Sequence, residues 1–276
     1  MPTKGRIQQS LAHWCLSATE WQWDIHRVCG AARSLGCRSI ELAPVEDWPT
    51  IREYGLDIAI SLNGMADPVF AKGLNNPRYQ KEVIATTKRM MDVCAEHGVG
   101  NIIAFTGYKW RDVDDPSAGE IGRDEGAANT VSGLKELASY GEGKGVTVCM
   151  EHLNSRDDSH PMKGHPGYQG DDIDYCAEII RQVGSPRAKL LFDVYHVAIM
   201  NGDIIRRLRQ YRDILGHIHT AGVPGRAELD DCQEINYPAV MRTLVDIGYS
   251  GYVGQEFIPT RDPMQGLAQA VVLCDV

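Results

Sequence analysis

The sequence predicts an α/β fold, a single (β/α)8 (TIM) barrel over residues 1–276, and three observations carry that expectation. Eight short apolar runs alternate with longer stretches of helical periodicity, no Pro/Gly/Ser-rich linker divides them, and several runs end abruptly in acids or imidazoles. Reactive groups in such barrels sit at the C-terminal ends of the strands, so the polar tips would converge at one end of the molecule. An open, doubly wound sheet is the competing arrangement. The first strand-to-helix turns contain neither Gly-x-Gly-x-x-Gly nor a P-loop, which disfavours it.

The first strand is expected over Arg6–Ala12, running into His13-Trp14. A helix follows from about Glu20 to Leu35, with Ile25, Val28, Cys29, Ala32 and Leu35 at helical spacing and Gly36 as its stop. Strand two is Ser39–Ala43, a short helix covers about Asp47 to Tyr54, and strand three is Asp57–Leu62, broken by Asn63-Gly64. The longest helix runs from about Asn76 to His97 and strand four is Asn101–Phe105. A polar loop from Thr106 to about Gly122 leads into a helix ending near Lys144. Strand five lies within Gly145–Asn154 and delivers Glu151 at its tip.

From Asn154 to Gln169 the chain is irregular and rich in Asp, His, Pro and Gly; a loop of that length in a compact domain is usually functional. Asp171-Asp172 suits the N-terminus of the next helix, which reaches about Val183. Strand six carries Asp193 within Ala188–His196, and a helix spans about Asp203 to Tyr211. Strand seven carries His219, a loop covers Ala221 to Ile235, and a helix covers Tyr237 to Ile247. Strand eight carries Glu256, and a last helix closes the chain.

Composition narrows the function classes. The 276 residues are 43% hydrophobic and 24% charged, ordinary for a globular protein, and no apolar run approaches the ~20 residues of a membrane span. A net charge of -9 argues against nucleic acid as principal partner. The eight cysteines form no CxxC pair, which points to a reducing compartment and away from a cysteine zinc cluster. Met1-Pro-Thr-Lys-Gly-Arg-Ile lacks the apolar core of a secretory signal, so a cytoplasmic protein is expected.

Glu151, Asp193, His219 and Glu256 make an oxygen-rich set with one nitrogen donor. Such a set suits Mg2+ or Mn2+ first and Zn2+ or Co2+ next. Any one acid at a strand end is more often a helix cap or a surface ion pair. Four together, on strands five to eight, call for a compensating cation, because unpaired buried carboxylates cost several kcal/mol each. Two glutamates flanking a small hydroxy-carbonyl could take a proton from one carbon and return it to another, the chemistry of an enediolate isomerase or epimerase. His196 and Arg226 could hold a substrate carboxylate or oxyanion, weighed evenly against a capping His and a solvated loop Arg. His13 and Asn154, polar groups at strand tips, join them as candidate substrate contacts. Trp14 and Glu41 are read as pocket wall or packing. His152 faces the other way from Glu151; His160, Lys163 and His165 lie near the mouth, and His217, one layer below His219, fits packing or support better than ligation.

The run Gly216-His-Ile-His219-Thr-Ala-Gly-Val-Pro-Gly-Arg226-Ala-Glu228, then Gln233-Glu-Ile-Asn-Tyr-Pro238 and Gly248-Tyr-Ser-Gly-Tyr-Val-Gly-Gln-Glu256-Phe, resembles the hydroxypyruvate isomerase family. Glu151-His-Leu-Asn154 and Phe192-Asp-Val-Tyr-His196 stand in the expected order. That family belongs to the xylose isomerase-like barrels, with ketose 3-epimerases and endonuclease IV-type nucleases. The resemblance implies that Glu151 and Glu256 both ligate metal and shuttle the proton, that Asp193 and His219 complete the metal site, and that His196 and Arg226 contact substrate. It implies interconversion of hydroxypyruvate and tartronate semialdehyde. His219 departs toward the ketose epimerases, since many hydroxypyruvate isomerases place Gln there, whereas Glu234-Ile-Asn-Tyr-Pro favours the isomerases. A ketose 3-epimerase or related sugar-acid isomerase is the second reading; an endonuclease IV-like phosphodiesterase and a non-catalytic sugar-binding barrel are alternatives from other classes. The expected partners are a small hydroxy-carbonyl molecule and, in a homo-oligomer, further copies of the chain, with no nucleic acid and no membrane.

Overall fold

The computed structural model describes residues 4–276. Its strands are β1 (Gln8–Ala12), β2 (Ser39–Glu41), β3 (Asp57–Ile58), β4 (Asn101–Phe105), β5 (Thr147–Glu151), β6 (Ala188–Asp193), β7 (Leu215–Thr220) and β8 (Tyr252–Gln255). All neighbouring pairs are parallel, in the order β3-β2-β1-β8-β7-β6-β5-β4. The ring closes between the chain after β3 and β4: Ser61 N–H donates to Asn101 O at 3.0 Å, and Ile103 N–H donates to Ser61 O at 2.9 Å. The expected (β/α)8 barrel is therefore the observed one.

The helices are α1 (Trp14–Ser17), α2 (Ile25–Leu35), α3 (Trp48–Glu53), α4 (Pro77–Glu96), α5 (Arg123–Lys144), α6 (Ile173–Val183), α7 (Val194–Met200), α8 (Ile204–Gln210), α9 (Tyr237–Asp246) and α10 (Pro263–Cys274). Their limits follow capping chemistry. Asp172 accepts from Asp174 N–H at 2.8 Å at the start of α6, and Gly145 ends α5 at φ 73°, a left-handed conformation that costs glycine little. Among the described residues no helix is long and apolar enough to cross a membrane.

Three expected elements came out differently. The helix expected over 20–35 starts only at Ile25, because Asp24 caps it through Arg27 N–H at 2.8 Å, and a short separate turn, α1, precedes it. Strand three is regular only over Asp57–Ile58; beyond it Ala59 N–H still donates to Ile40 O and Leu42 N–H to Ile60 O, both at 3.1 Å, but Leu42 at φ 55° leaves the extended conformation. The apolar run after Asp193 is helix α7. Asp193 caps it, accepting from Tyr195 N–H at 2.7 Å, so one side chain ends a strand and begins a helix.

Side chains alternate between the two faces of each strand. Ile40, Val148, Met150, Leu190, Phe192, Ile218 and Val253 face the helices in the main core. Inside the barrel, Ile103, Phe105, Cys149 and Leu191 pack as a smaller apolar cluster on the β4–β6 side. The β2, β7 and β8 side of the interior carries Glu41, His217, His219 and Gly254.

Candidate active site

β5 and β6 end in Glu151 and Asp193, β7 carries His219 one residue from its end, and Glu256 directly follows β8. Parallel pairing brings these tips together: one potential ligand atom from each of the four lies within 4.8 Å of the others, and all four residues are buried. His219 Nδ1 is 2.7 Å from Glu256 Oε2 and 3.2 Å from Glu151 Oε1. The Arg226 guanidinium reaches in from the loop after β7, its Nη2 donating to Glu256 Oε2 at 2.5 Å and to Asp193 Oδ2 at 3.1 Å.

The electrostatics follow from burying three carboxylates beside one guanidinium and one imidazole. Burial pushes the Glu151 carboxyl up, reinforced by the charges of Glu256 and Asp193 and opposed by His219. For Glu256 burial acts in the same direction, but the charges of His219 and Arg226 win and hold the group low. Asp193 is raised by burial, with Arg226 opposing. His219 stays well above the ordinary imidazole range: burial works against its charge, but Glu256, Glu151 and Glu41 outweigh it.

This donor set fits a divalent cation. Three carboxylates and one imidazole on four rigid strand ends supply the oxygen-rich, single-nitrogen coordination of a hard or borderline ion, and a cation would relieve the mutual repulsion of acids buried together.

His196 lies at the first turn of α7, buried beside Arg226. Burial and then the Arg226 charge lower its pKa well below the ordinary value, so the ring is neutral. Its Nδ1 accepts from Asn154 N–H at 3.0 Å, which places the proton on Nε2, yet Arg226 Nη1 stands 2.9 Å from Nε2. That contact sets donor against donor, so the carboxylates of Asp193 and Glu256 hold Arg226 where it is, and His196 does not. The arginine backbone sits at φ 52°, and its carbonyl accepts from Ile258 N–H at 2.7 Å, tying the loop after β7 to the loop after β8.

Two of the tips, Glu151 and Glu256, reach a cavity of about 930 Å³, with Asp193 and His219 behind them. Glu151, Glu256, His196 and Arg226 line it directly. The rest of its wall is largely apolar, with Leu62, Val69, Phe70, Ile103 and Phe105. His160, Lys163 and His165 of the 154–169 loop reach the rim, where Phe70 packs on His165 at 4.3 Å between ring centroids.

Two expected substrate contacts are not brought to that cavity. His13 caps the short turn α1, and its ring turns to Ser17 Oγ at 3.2 Å and toward Asp47; its neighbour Trp14 occupies the wall instead. Asn154 is spent on the His196 ring, through its backbone N–H and a side-chain contact of 2.8 Å. It acts on the cavity through His196 and, by accepting from His165 N–H at 2.7 Å, through the 154–169 loop.

Two features carry more than the sequence reading allotted them. Trp14 Nε1–H donates to Glu256 Oε1 at 2.8 Å, so what read as packing also orients a candidate proton carrier. Glu41, read as wall, lies beneath the tips between His217 and His219, its two oxygens 3.1 and 2.9 Å from their Nε2 atoms. The signal was present, since Glu41 ends an apolar run like the other acids and His217 stands two residues from His219 on the same strand face. That side chains of β2 and β7 meet inside the barrel was not visible.

Fold and site together define a (β/α)8 barrel with a buried carboxylate-histidine centre at its C-terminal end. The xylose isomerase-like TIM barrel family model matches residues 29–272, and the chain belongs to that family. Its curated relatives include the 2-oxo-tetronate isomerase of Cupriavidus necator, 34% identical over 61% of this chain and 64% of the relative. They also include the hydroxypyruvate isomerase of Escherichia coli, 27% identical over 51% of each chain. The matched stretches span less than two thirds of these relatives. An AP endonuclease, family 2, from Brucella melitensis superposes with TM-score 0.80 at 21% identity, over 95% of this chain and 98% of that one. A D-psicose 3-epimerase with D-tagatose from Clostridium cellulolyticum H10 gives TM-score 0.72 at 18% identity, covering 97% and 90% of the two chains. The IOLI protein with a bound zinc atom gives 0.69 at 16% identity, covering 97% and 95%. At these identities the structures speak for the fold alone.

Proposed function

We propose that the protein is a divalent-metal-dependent isomerase of a small hydroxy-carbonyl acid, moving the carbonyl between adjacent carbons through an enediolate. The observation that carries this reading is the convergence of Glu151, Asp193, His219 and Glu256 beside Arg226, with the two glutamates open to the cavity. Hydroxypyruvate with tartronate semialdehyde is the substrate pair we favour. The named relatives support the class, one acting by its name on 2-oxo-tetronate and the other on hydroxypyruvate.

A cation held by the four tips, Mg2+ or Mn2+ before Zn2+ or Co2+, would polarise the carbonyl and hydroxyl oxygens of a bound substrate. The two glutamates would do the proton work. One takes the proton from the carbon bearing the hydroxyl, the hydroxyl proton passes to the former carbonyl oxygen at the enediolate stage, and the other glutamate returns a proton to the former carbonyl carbon, their roles exchanging in reverse. Trp14 and His219 hold Glu256 in place through opposite oxygens. The Arg226 guanidinium and the neutral His196 ring line the cavity and would bind and turn a substrate carboxylate there.

Turnover of hydroxypyruvate, 2-oxo sugar acids and free ketoses, followed by NMR in D2O with Mg2+ supplied, tests this reading. Conversion of an acid with solvent deuterium appearing on carbon is expected. Turnover of a free ketose alone, at C3, would replace it with the second reading, a ketose 3-epimerase, which the size of the cavity favours: about 930 Å³ exceeds what a three-carbon acid fills.

A further inference from the structure

Beneath the four tips, His219 meets two buried polar groups that the proposed reaction does not use, Glu41 and His217. Glu41, His217 and His219 have fully buried side chains. The Glu41 carboxylate spans both rings, Oε2 at 3.1 Å from His217 Nε2 and Oε1 at 2.9 Å from His219 Nε2, and the rings stand nearly perpendicular, 4.9 Å apart. The Glu41–His219 contact is bent, and neither atom has another polar partner. The fold makes room for this acid: a Cβ on Gly254 would sit 1.9 Å from Glu41 Oε1.

We propose that Glu41 is a positioning residue for the cation site, holding His219 through Nε2 so that Nδ1 faces Glu151 and Glu256. This inference rests on the reading that the four tips hold a divalent cation. A histidine can offer either ring nitrogen, and the partner of one decides which is left for a metal. Glu41 Oε1 stands 2.9 Å from Nε2, so Nδ1 is the atom left to ligate, and it lies 3.2 Å and 2.7 Å from the two glutamates that complete the site. Filling the barrel interior would not require this arrangement. Ile103 and Leu191 fill other inward positions with apolar side chains, whereas a buried carboxylate costs several kcal/mol unless it is paired. His217 occupies the other Glu41 oxygen, which keeps the carboxylate from turning away.

The test is calorimetric titration of Mn2+ into the metal-stripped protein, with melting temperature measured before and after addition. Glu41→Ala should bind Mn2+ about ten- to a hundredfold more weakly than the unaltered chain, and the rise in melting temperature on adding Mn2+ should shrink with it. Glu41→Gln, whose amide oxygen still accepts from Nε2–H, should fall between the two. A merely structural role predicts a lower metal-free melting temperature with Mn2+ affinity within about twofold of the original. That result overturns the proposal, and if Glu41→Ala does not fold, an unchanged affinity in Glu41→Gln overturns it equally. Failure of the unaltered chain to bind Mn2+, Mg2+, Zn2+ or Co2+ would defeat the metal-site reading itself, which separates the two failures.

Discussion

The two sides of the cavity are built from different halves of the chain and make opposite demands on it. The floor, supplied by β5 to β8 and the loop after β7, concentrates three carboxylates, two imidazoles and a guanidinium, nearly all buried. The adjoining wall, supplied by the chain around β3 and β4, is apolar, with Leu62, Val69, Phe70, Ile103 and Phe105. Rigid strand ends hold the charged groups in a costly arrangement that Arg226 and His219 offset in part and a shared cation would relieve further, and the apolar wall confines whatever meets them. Chemistry should therefore be lost on the floor side, whereas affinity and selectivity should change on the wall side.

The largest effects that would break this division belong to the glutamates. Glu151→Gln and Glu256→Gln should each lower kcat about a thousandfold with the fold retained by circular dichroism. Full exchange of the substrate C–H proton with solvent in either variant would remove that glutamate from the proton path. Cation affinity comes next. Glu151 and His219 both hold protons more tightly than usual, and a cation must displace them, so Mn2+ affinity should fall as pH drops from about 8 to about 5.5 and recover as pH rises. Flat affinity over that range in a titration series would show that the cation is held elsewhere.

Arg226→Lys keeps the charge and loses the fork. KM for a carboxylate substrate should rise about tenfold, roughly 1.4 kcal/mol, while the neutral-ketose control changes less. The smallest effect is expected across the cavity. Phe70→Ala removes an apolar face beside His165 and should raise KM a few-fold with kcat nearly unchanged. A collapse of kcat in that variant, measured by steady-state kinetics, would mean the wall takes part in placing the reacting carbon.

Much of the architecture was legible because strands and helices of this kind announce themselves locally. β4 was expected at Asn101–Phe105 and is observed there, and α4 and α5 end within a residue or two of their expected limits, where glycines or caps stop them. The Asp193 segment was harder. Its apolar run continues past the acid into Val194-Tyr-His-Val-Ala-Ile-Met200, which suits a strand or a buried helix by pattern alone, and the capping hydrogen bond that decides the matter is a three-dimensional fact. His13 and Trp14 show the same limit in the site. Both stand at a strand tip, and the direction of α1 decides that the indole faces the cavity while the imidazole turns to Ser17.

Some properties of this chain are local and were determined by sequence: the alternation of β and α units, the acids and imidazole at four strand ends, and the glycines and caps that delimit the helices. They follow from side-chain periodicity and backbone preference, which act over a few residues. Tertiary structure decided what those residues are to one another. Barrel closure brings Glu151 within reach of Glu256, sets Arg226 between Asp193 and Glu256, and seats Glu41 from the second strand under His219 from the seventh. Hydrogen-bond register around a closed ring sets those distances, and no stretch of sequence carries that register alone.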